Sequence, residues 1–357
     1  MADEGDAAPT DGDTDGTGTQ QAAPGEHAEA VDAATDEDAE QSPQPQSGRA
    51  MLLAALGTGF LFVLVQLGAL ALVDPFMAAG YQTVENPADP TNSLLYVVVV
   101  LVATGGILLV VKLGVEGVLK AVILLTSGWL SWYVLSVLVP LVLPGPYAGM
   151  LALLAAALVV LALYAYPEWY VIDAAGVLIG AGGAALFGIS FGPLPALLLL
   201  VVLAVYDAIA VYRTKHMLTL AESVTDLKLP IVLVVPLSLS YSFLADAPVD
   251  GSDRSGPRDA FFIGLGDTVI PTVLVASAAF FVPAPALPVP GLALTVPAFG
   301  AMLGTLVGLA GLLYMVAKGR AHAGLPLLNG GAILGYLVAA VLVGVPLVEA
   351  VGLGPYL

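Results

Sequence analysis

The sequence predicts an all-α polytopic membrane protein of about nine transmembrane helices, with the N-terminus cytoplasmic and the C-terminus outside. Three observations predict it. Hydrophobic residues make up 59% of the 357 and charged residues only 11%, whereas a soluble globular chain is about a quarter charged. Apolar runs of roughly 18–25 residues, enough to cross a hydrocarbon core as a helix, recur along the chain, and mean hydropathy is +0.95. The ten Lys and Arg residues fall on alternate connections, as the cytoplasmic preference of basic loops requires.

Residues 1–48 hold thirteen acidic residues, no Lys or Arg and almost no large apolar side chains. Such a segment cannot bury enough surface to offset its ordering entropy, which predicts a disordered acidic tail. It lacks the basic start and apolar core of a signal peptide. Residues 49–213 carry six spans, near 51–73, 93–113, 118–141, 147–166, 171–189 and 192–212. The fifth, glycine-rich "VIDAAGVLIGAGGAALFGIS", predicts a tightly packed helix in close small-residue contact with its neighbours.

Residues 214–260 form a cytoplasmic loop. Its stretch 228–245, "KLPIVLVVPLSLSYSFLA", is broken by Pro230 and Pro236. The piece at 229–236 is too short to cross a bilayer and suits a strand or an interfacial segment. The later "DAPVDGSDRSGPRD" reads as a flexible polar linker. Residues 261–357 carry the last three spans, near 261–283, 297–317 and 326–348. With the N-terminus inside, Arg49, Lys112, Lys120, Arg213, Lys215, Lys228, Arg254, Arg258, Lys318 and Arg320 all lie inside. The first outside loop, 74–92, carries Asp74, Glu85 and Asp89 instead.

Without cysteine there is no disulfide or thiolate metal site, and His27, His216 and His322 are widely scattered. No H-E-x-x-H and no phosphate-binding glycine-lysine loop is present. No metal, cofactor or nucleic-acid partner is expected.

The chemistry must come from ionisable residues inside the spans, because a charge in hydrocarbon is costly and marks a functional site by default. Asp173 and Glu349 lie near span ends, within reach of water or headgroups, and Lys112, Glu116 and Lys120 cluster at a turn. That leaves Asp207, in "LAVYDAIAVYRTK", and Asp267, in "FFIGLGDTVIPT". Asp207 precedes Arg213 by six residues, roughly 9 Å of helix. Asp267 follows Arg258 by nine, roughly 13 Å by the same rise. The two spans are consecutive and antiparallel, so the carboxyls sit at similar depth and are natural partners.

Two carboxyl groups within hydrogen-bonding reach do not both ionise comfortably, so one serves as base and the other as acid. Such a pair can activate a water for attack on a peptide carbonyl. Gly264 and Gly266, flanking Leu265, leave room beside Asp267 for a substrate backbone. Tyr206 adjoins Asp207 but points elsewhere on a helix, which suits packing or substrate contact. These residues also fit a proton- or cation-coupled transporter, whose paired carboxylates bind H⁺ or Na⁺.

The "YD" of Tyr206–Asp207 and the "GLGD" of Gly264–Asp267, in consecutive spans, resemble the presenilin and signal peptide peptidase family of intramembrane aspartyl (GxGD) proteases. That family adds a Pro-Ala-Leu motif at its last helix. Here "HAGLPLLNGGAILGY" offers Gly324, Leu325 and Pro326, with Ala323 where the first proline is expected. The Asn329-Gly330-Gly331 that follows suggests an irregular helix start. The resemblance covers about residues 51–348. It implies a presenilin-like fold with Asp207 and Asp267 catalytic. Tyr206, Gly264, Leu265, Gly266, Gly324, Leu325 and Pro326 would line the substrate site. Its substrates would be transmembrane helices of other proteins, cut within the bilayer. The basic-residue count matches the presenilin-type orientation. The chain looks like an archaeal member, a multi-pass protein of the cell membrane that needs no obligate accessory subunit. "LPIVLVV" would pair with an unwound substrate segment by strand addition.

Overall fold

In the computed structural model, residues 48–214, 232–238, 241–242, 260–318 and 322–357 are described. The expected disordered tail, the polar linker and most of the 214–260 loop lie outside them.

Nine helices of 17 residues or more occur among the described residues: α1 (Gly48–Ala78), α2 (Thr91–Lys112), α3 (Glu116–Val142), α4 (Ala148–Ala165), α5 (Trp169–Ser190), α6 (Pro193–Ile209), α7 (Leu265–Phe281), α8 (Val296–Ala317) and α9 (Leu325–Leu342). Eight are long and apolar enough to cross a membrane, α6 by running on through Tyr212, and α7, with 17 residues, falls short. A π-helical turn, Ala210–Thr214, continues α6. Two strands, β1 (Val232–Pro236) and β2 (Ala260–Gly264), pair antiparallel with Val234 opposite Phe262. A short α10 (Leu347–Ala350) and a final 3₁₀ turn end the chain.

Several boundaries differ from those expected, each for a local reason. Helix α1 runs on to Ala78, so Asp74 is helical rather than part of the outside loop. Its stop is Gly80, at φ 73°. There Gly80 N–H reaches Met77 O and Tyr81 N–H reaches Phe76 O, the paired bonds of a Schellman ending that favours glycine. Gly344, at φ 81°, ends α9 the same way, with Leu342 the last helical residue, six short of the expected limit. The seventh span was expected from 261, but residues 261–264 belong to β2 and the helix starts at Leu265. The run "AFFIG" is aromatic and apolar without a period, so it suits either state until a partner strand is known. No irregularity breaks the Asn329–Gly331 stretch, which lies inside regular α9.

The main core joins α6, α7, α8 and α9 around Leu200, Leu203, Leu274, Met302 and Tyr336. A second links α1, α3 and α5. Helix α5 is the most buried of the eight long spans. A β-carbon on its Gly182 or Gly188 would come within 2.3 Å of Val134 or Ala276. By contrast α2 shows Leu95, Val99 and Val102 at its surface, as a lipid-facing helix should.

The closest helix contact is between α8 and α9. β-Carbons added at Gly300, Gly304 and Gly308 would lie 2.4, 2.0 and 2.3 Å from the carbonyl oxygens of Gly335, Gly331 and Leu327. Backbone meets backbone, the small-residue contact that drives helix association where lipid leaves no hydrophobic force between helices. At its far end α9 is tied to α10 by the Tyr336 hydroxyl, which donates to Ala350 O.

A two-stranded ribbon is marginal alone, but this one is buried. Leu233 and Val234 are fully covered. Leu233 fits against Gly176 of α5, and Val235 against Gly57 of α1. β2 passes into α7 without a linker, Gly264 being both the last strand residue and the helix N-cap.

Candidate active site

Asp207 is buried near the end of α6, three residues before the π-helical turn. π-Turns are frequent at functional sites. Its Oδ2 accepts the Leu325 N–H at 3.0 Å, and the Gly324 N–H lies close to the same carboxyl. Those donors are free because the first N–H groups of a helix, here α9, lack intrahelical partners. Pro326 follows in the first turn, where a missing N–H costs nothing.

Asp267 is the third residue of α7. A carboxylate there is favoured by the exposed N–H groups and dipole of a helix start. A β-carbon on Gly264 would stand 3.3 Å from its Oδ2, and one on Gly324 would stand 3.5 Å away. Asp207 is near enough to bear electrostatically on Asp267. The two carboxyls thus meet at the Gly324–Leu325 peptide, one bonded to its N–H and one against the glycine. This corrects the premise of the depth estimate, since Asp267 opens a helix after a strand and is not nine residues along a continuous one.

Of the other residues singled out by sequence, Gly264, Gly324 and Leu325 share this cluster. Leu265 turns away to α5, where its Cδ1 would lie 3.1 Å from a β-carbon on Gly180. Gly266 is exposed, and a β-carbon there would meet nothing within 4 Å. Tyr206 is partly buried on α6, about 100° around the helix from Asp207. Ala323, in place of the family's proline, is buried, and its N–H lies 3.4 Å from the Tyr212 hydroxyl. A proline could not donate there.

Sequence reasoning named two further residues without their roles. Asn329 donates its Nδ2 to Leu200 O at 2.9 Å, fastening α9 to α6 near Asp207. Asp173, expected within reach of water, is instead buried and accepts the Val234 N–H on Oδ1 at 2.7 Å. The signal was available, an acid inside an apolar run, but its position near the span end disguised it. Gly188-Ile189-Ser190-Phe191-Gly192 has the G-x-S-x-G spacing of a serine nucleophile. Yet Ser190 is buried, and its hydroxyl accepts from Thr83 N–H and Oγ1 to tie down the α1–α2 connection. Among the described residues no three His, Cys, Asp or Glu side chains gather as metal ligands.

A carboxyl pair at the junction of three helices, beside an uncovered glycine, is suited to acid–base chemistry on a peptide backbone. Comparisons with known proteins point the same way. A sequence model described as signal-peptide peptidase, presenilin aspartyl protease matches residues 59–345. No curated protein matches significantly. Two solved structures, each of a presenilin family intramembrane aspartate protease, are similar. The one in space group C222 is 40% identical with TM-score 0.59, covering 81% of this chain and 100% of its own. The one in P2 is 40% identical with TM-score 0.57, covering 80% and 97%. With the family matched across most of its length and its helical fold shared, the chain belongs to the signal-peptide peptidase and presenilin family and is an intramembrane aspartic endopeptidase.

Proposed function

We propose that Asp207 and Asp267 are the catalytic pair and that the substrates are single transmembrane helices of other membrane proteins. The observation that carries this reading is the meeting of both carboxyls at the Gly324–Leu325 peptide. The ionised carboxyl takes a proton from a water held between the pair, and the water oxygen bonds to the scissile carbonyl carbon. The protonated carboxyl hydrogen-bonds the developing oxyanion, then gives its proton to the leaving nitrogen as the C–N bond breaks. The Leu325 N–H, with that of Gly324 close by, holds Asp207 in place. Gly266, with open space beside it, is where the substrate backbone approaches.

A helix hides its peptide bonds, so the substrate must unwind locally. In this reading the unwound segment adds as a strand along β2, which leads directly into Asp267. It does not add along Val232–Pro236 as the sequence suggested, since that strand is already paired with β2 on one edge and bonded to Asp173 through the Val234 N–H. The distribution of basic residues supports an N-terminus in the cytoplasm, and in this reading the membrane is the cell membrane. Catalysis needs no accessory subunit.

The purified chain in proteoliposomes with a single-span substrate should release two fragments whose masses place the cut inside the span. Ion flux in sealed vesicles without fragments would overturn the proposal. Two glycine substitutions probe the site more finely. Gly264→Ala presses a methyl on the Asp267 carboxyl at 3.3 Å, and displacement by a few tenths of an ångström should lower kcat about tenfold. Gly266→Ala meets nothing in the free enzyme, so kcat should hold while KM rises. Steady-state cleavage in micelles separates the two.

A further inference from the structure

Residue Asp173 stands on the second turn of α5, sixty-one positions before the strand it bonds. Its carboxylate is buried, and its partner, the Val234 N–H, belongs to the central residue of β1. In an antiparallel strand the N–H and C=O of one residue face the same edge, and successive residues face opposite edges. An N–H given to Asp173 is not given to β2. Asp173 therefore sits on the outer edge of β1, where a third strand would otherwise place a carbonyl. Leu233 and Val235 face Ile263 and Phe261 across the ribbon.

The same face of α5 continues the contact. Gly176, three residues on, receives Leu233, and Gly180, seven on, receives Leu265 and Val269. One helix stripe thus fixes the strand at one end and the start of the Asp267 helix at the other. Between them the ribbon has no slack, because Val232 pairs with Gly264, which caps that helix.

We infer that Asp173 is a positioning residue which closes the outer edge of β1 and so sets which substrate peptide bond reaches Asp207 and Asp267. This rests on the proposed strand pairing of the substrate. A bound strand moves with the ribbon, and a slip of one residue carries the scissile bond about 3.3 Å. Asp173 touches no reacting atom; it acts through the backbone it holds.

The test compares Asp173→Asn, which keeps an acceptor oxygen, with Asp173→Leu, which keeps volume in an apolar surround that includes Trp169 and Val177 but removes the acceptor. Each full-length variant is purified, its thermal unfolding measured, and its products from a single-span substrate weighed by mass spectrometry. Asp173→Leu should spread the cut over neighbouring bonds and lower kcat/KM about tenfold or more. Asp173→Asn should cut at the wild-type bond within about threefold of the wild-type rate. A single, unshifted cut by Asp173→Leu, or the same spread from both variants, overturns the inference. Activity lost only in step with unfolding, without a change of products, also overturns it. A substrate N-methylated beside the cut tests the underlying reading separately. If its cleavage is unimpaired, strand pairing itself fails; if impaired while Asp173→Leu leaves the products unchanged, only the role of Asp173 fails.

Discussion

Asp207→Asn and Asp267→Asn should each abolish proteolysis, with kcat falling by at least about 10⁴-fold. Asparagine has nearly the shape of aspartate but can neither take a proton from water nor donate one to a leaving amine. On the proposed mechanism the two carboxyls act on one water as a unit, so the double variant should be hardly worse than either single one, a non-additivity typical of catalytic groups that work together. Structure should survive in both. At position 207 the amide oxygen can still accept the Leu325 N–H, and at 267 the amide relieves the repulsion between two neighbouring carboxyls. The measurement is fragment release in proteoliposomes, with thermal unfolding followed in parallel. Fragments at wild-type rate from either variant would eliminate the paired-carboxyl mechanism.

Gly304→Leu should be the most damaging change outside the carboxyl pair. A β-carbon there would lie 2.0 Å from Gly331 O, and the obstacle is backbone, which no rotamer change can clear. Overpacking against side chains costs about 1–3 kcal/mol; against a neighbouring helix backbone the cost should reach or exceed the upper end, about 3 kcal/mol. Activity should fall with it, because α9 carries the N–H that holds Asp207. Gly330→Leu is the control. It lies on the facing helix α9, next to Gly331, yet a β-carbon there meets nothing within 4 Å. Thermal unfolding in detergent should show a large loss for the first and almost none for the second.

Much of this was legible in the sequence, for identifiable reasons. Spans announce themselves through runs of apolar residues, since the bilayer leaves few other solutions for a backbone. Asp207 and Asp267 stand out because a carboxylate in such a run is rare. Consecutive spans are neighbours often enough to make the two aspartates partners. The two carboxyls do lie near each other, although the depth argument treated residues 258–267 as continuous helix and 260–264 are a strand. What stayed hidden depends on distance along the chain. Nothing local in "AFFIG" reveals that Val232–Pro236 will pair with it. Asp173 looks like a span-end residue until the strand sixty-one positions away is placed. The glycines of α8 and α9 read as weak helix positions until the two helices are set face to face. Only the stops at Gly80 and Gly344 could have been drawn more sharply, because a glycine after an apolar run is itself an ending signal.

The glycine contact between α8 and α9 also divides the site mechanically. With carbonyl oxygens seated directly in the glycine gaps, these helices can neither slide nor rotate against each other without collision, and they behave as one slab. Gly324 and Leu325 are fixed to that slab. Asp207 hangs from the opposite side, just before the turn where α6 abandons regular α-helical bonding. One bank of the proposed cleft is therefore built from interlocked backbones, and the other reaches it only through side-chain bonds at Asp207 and Asn329.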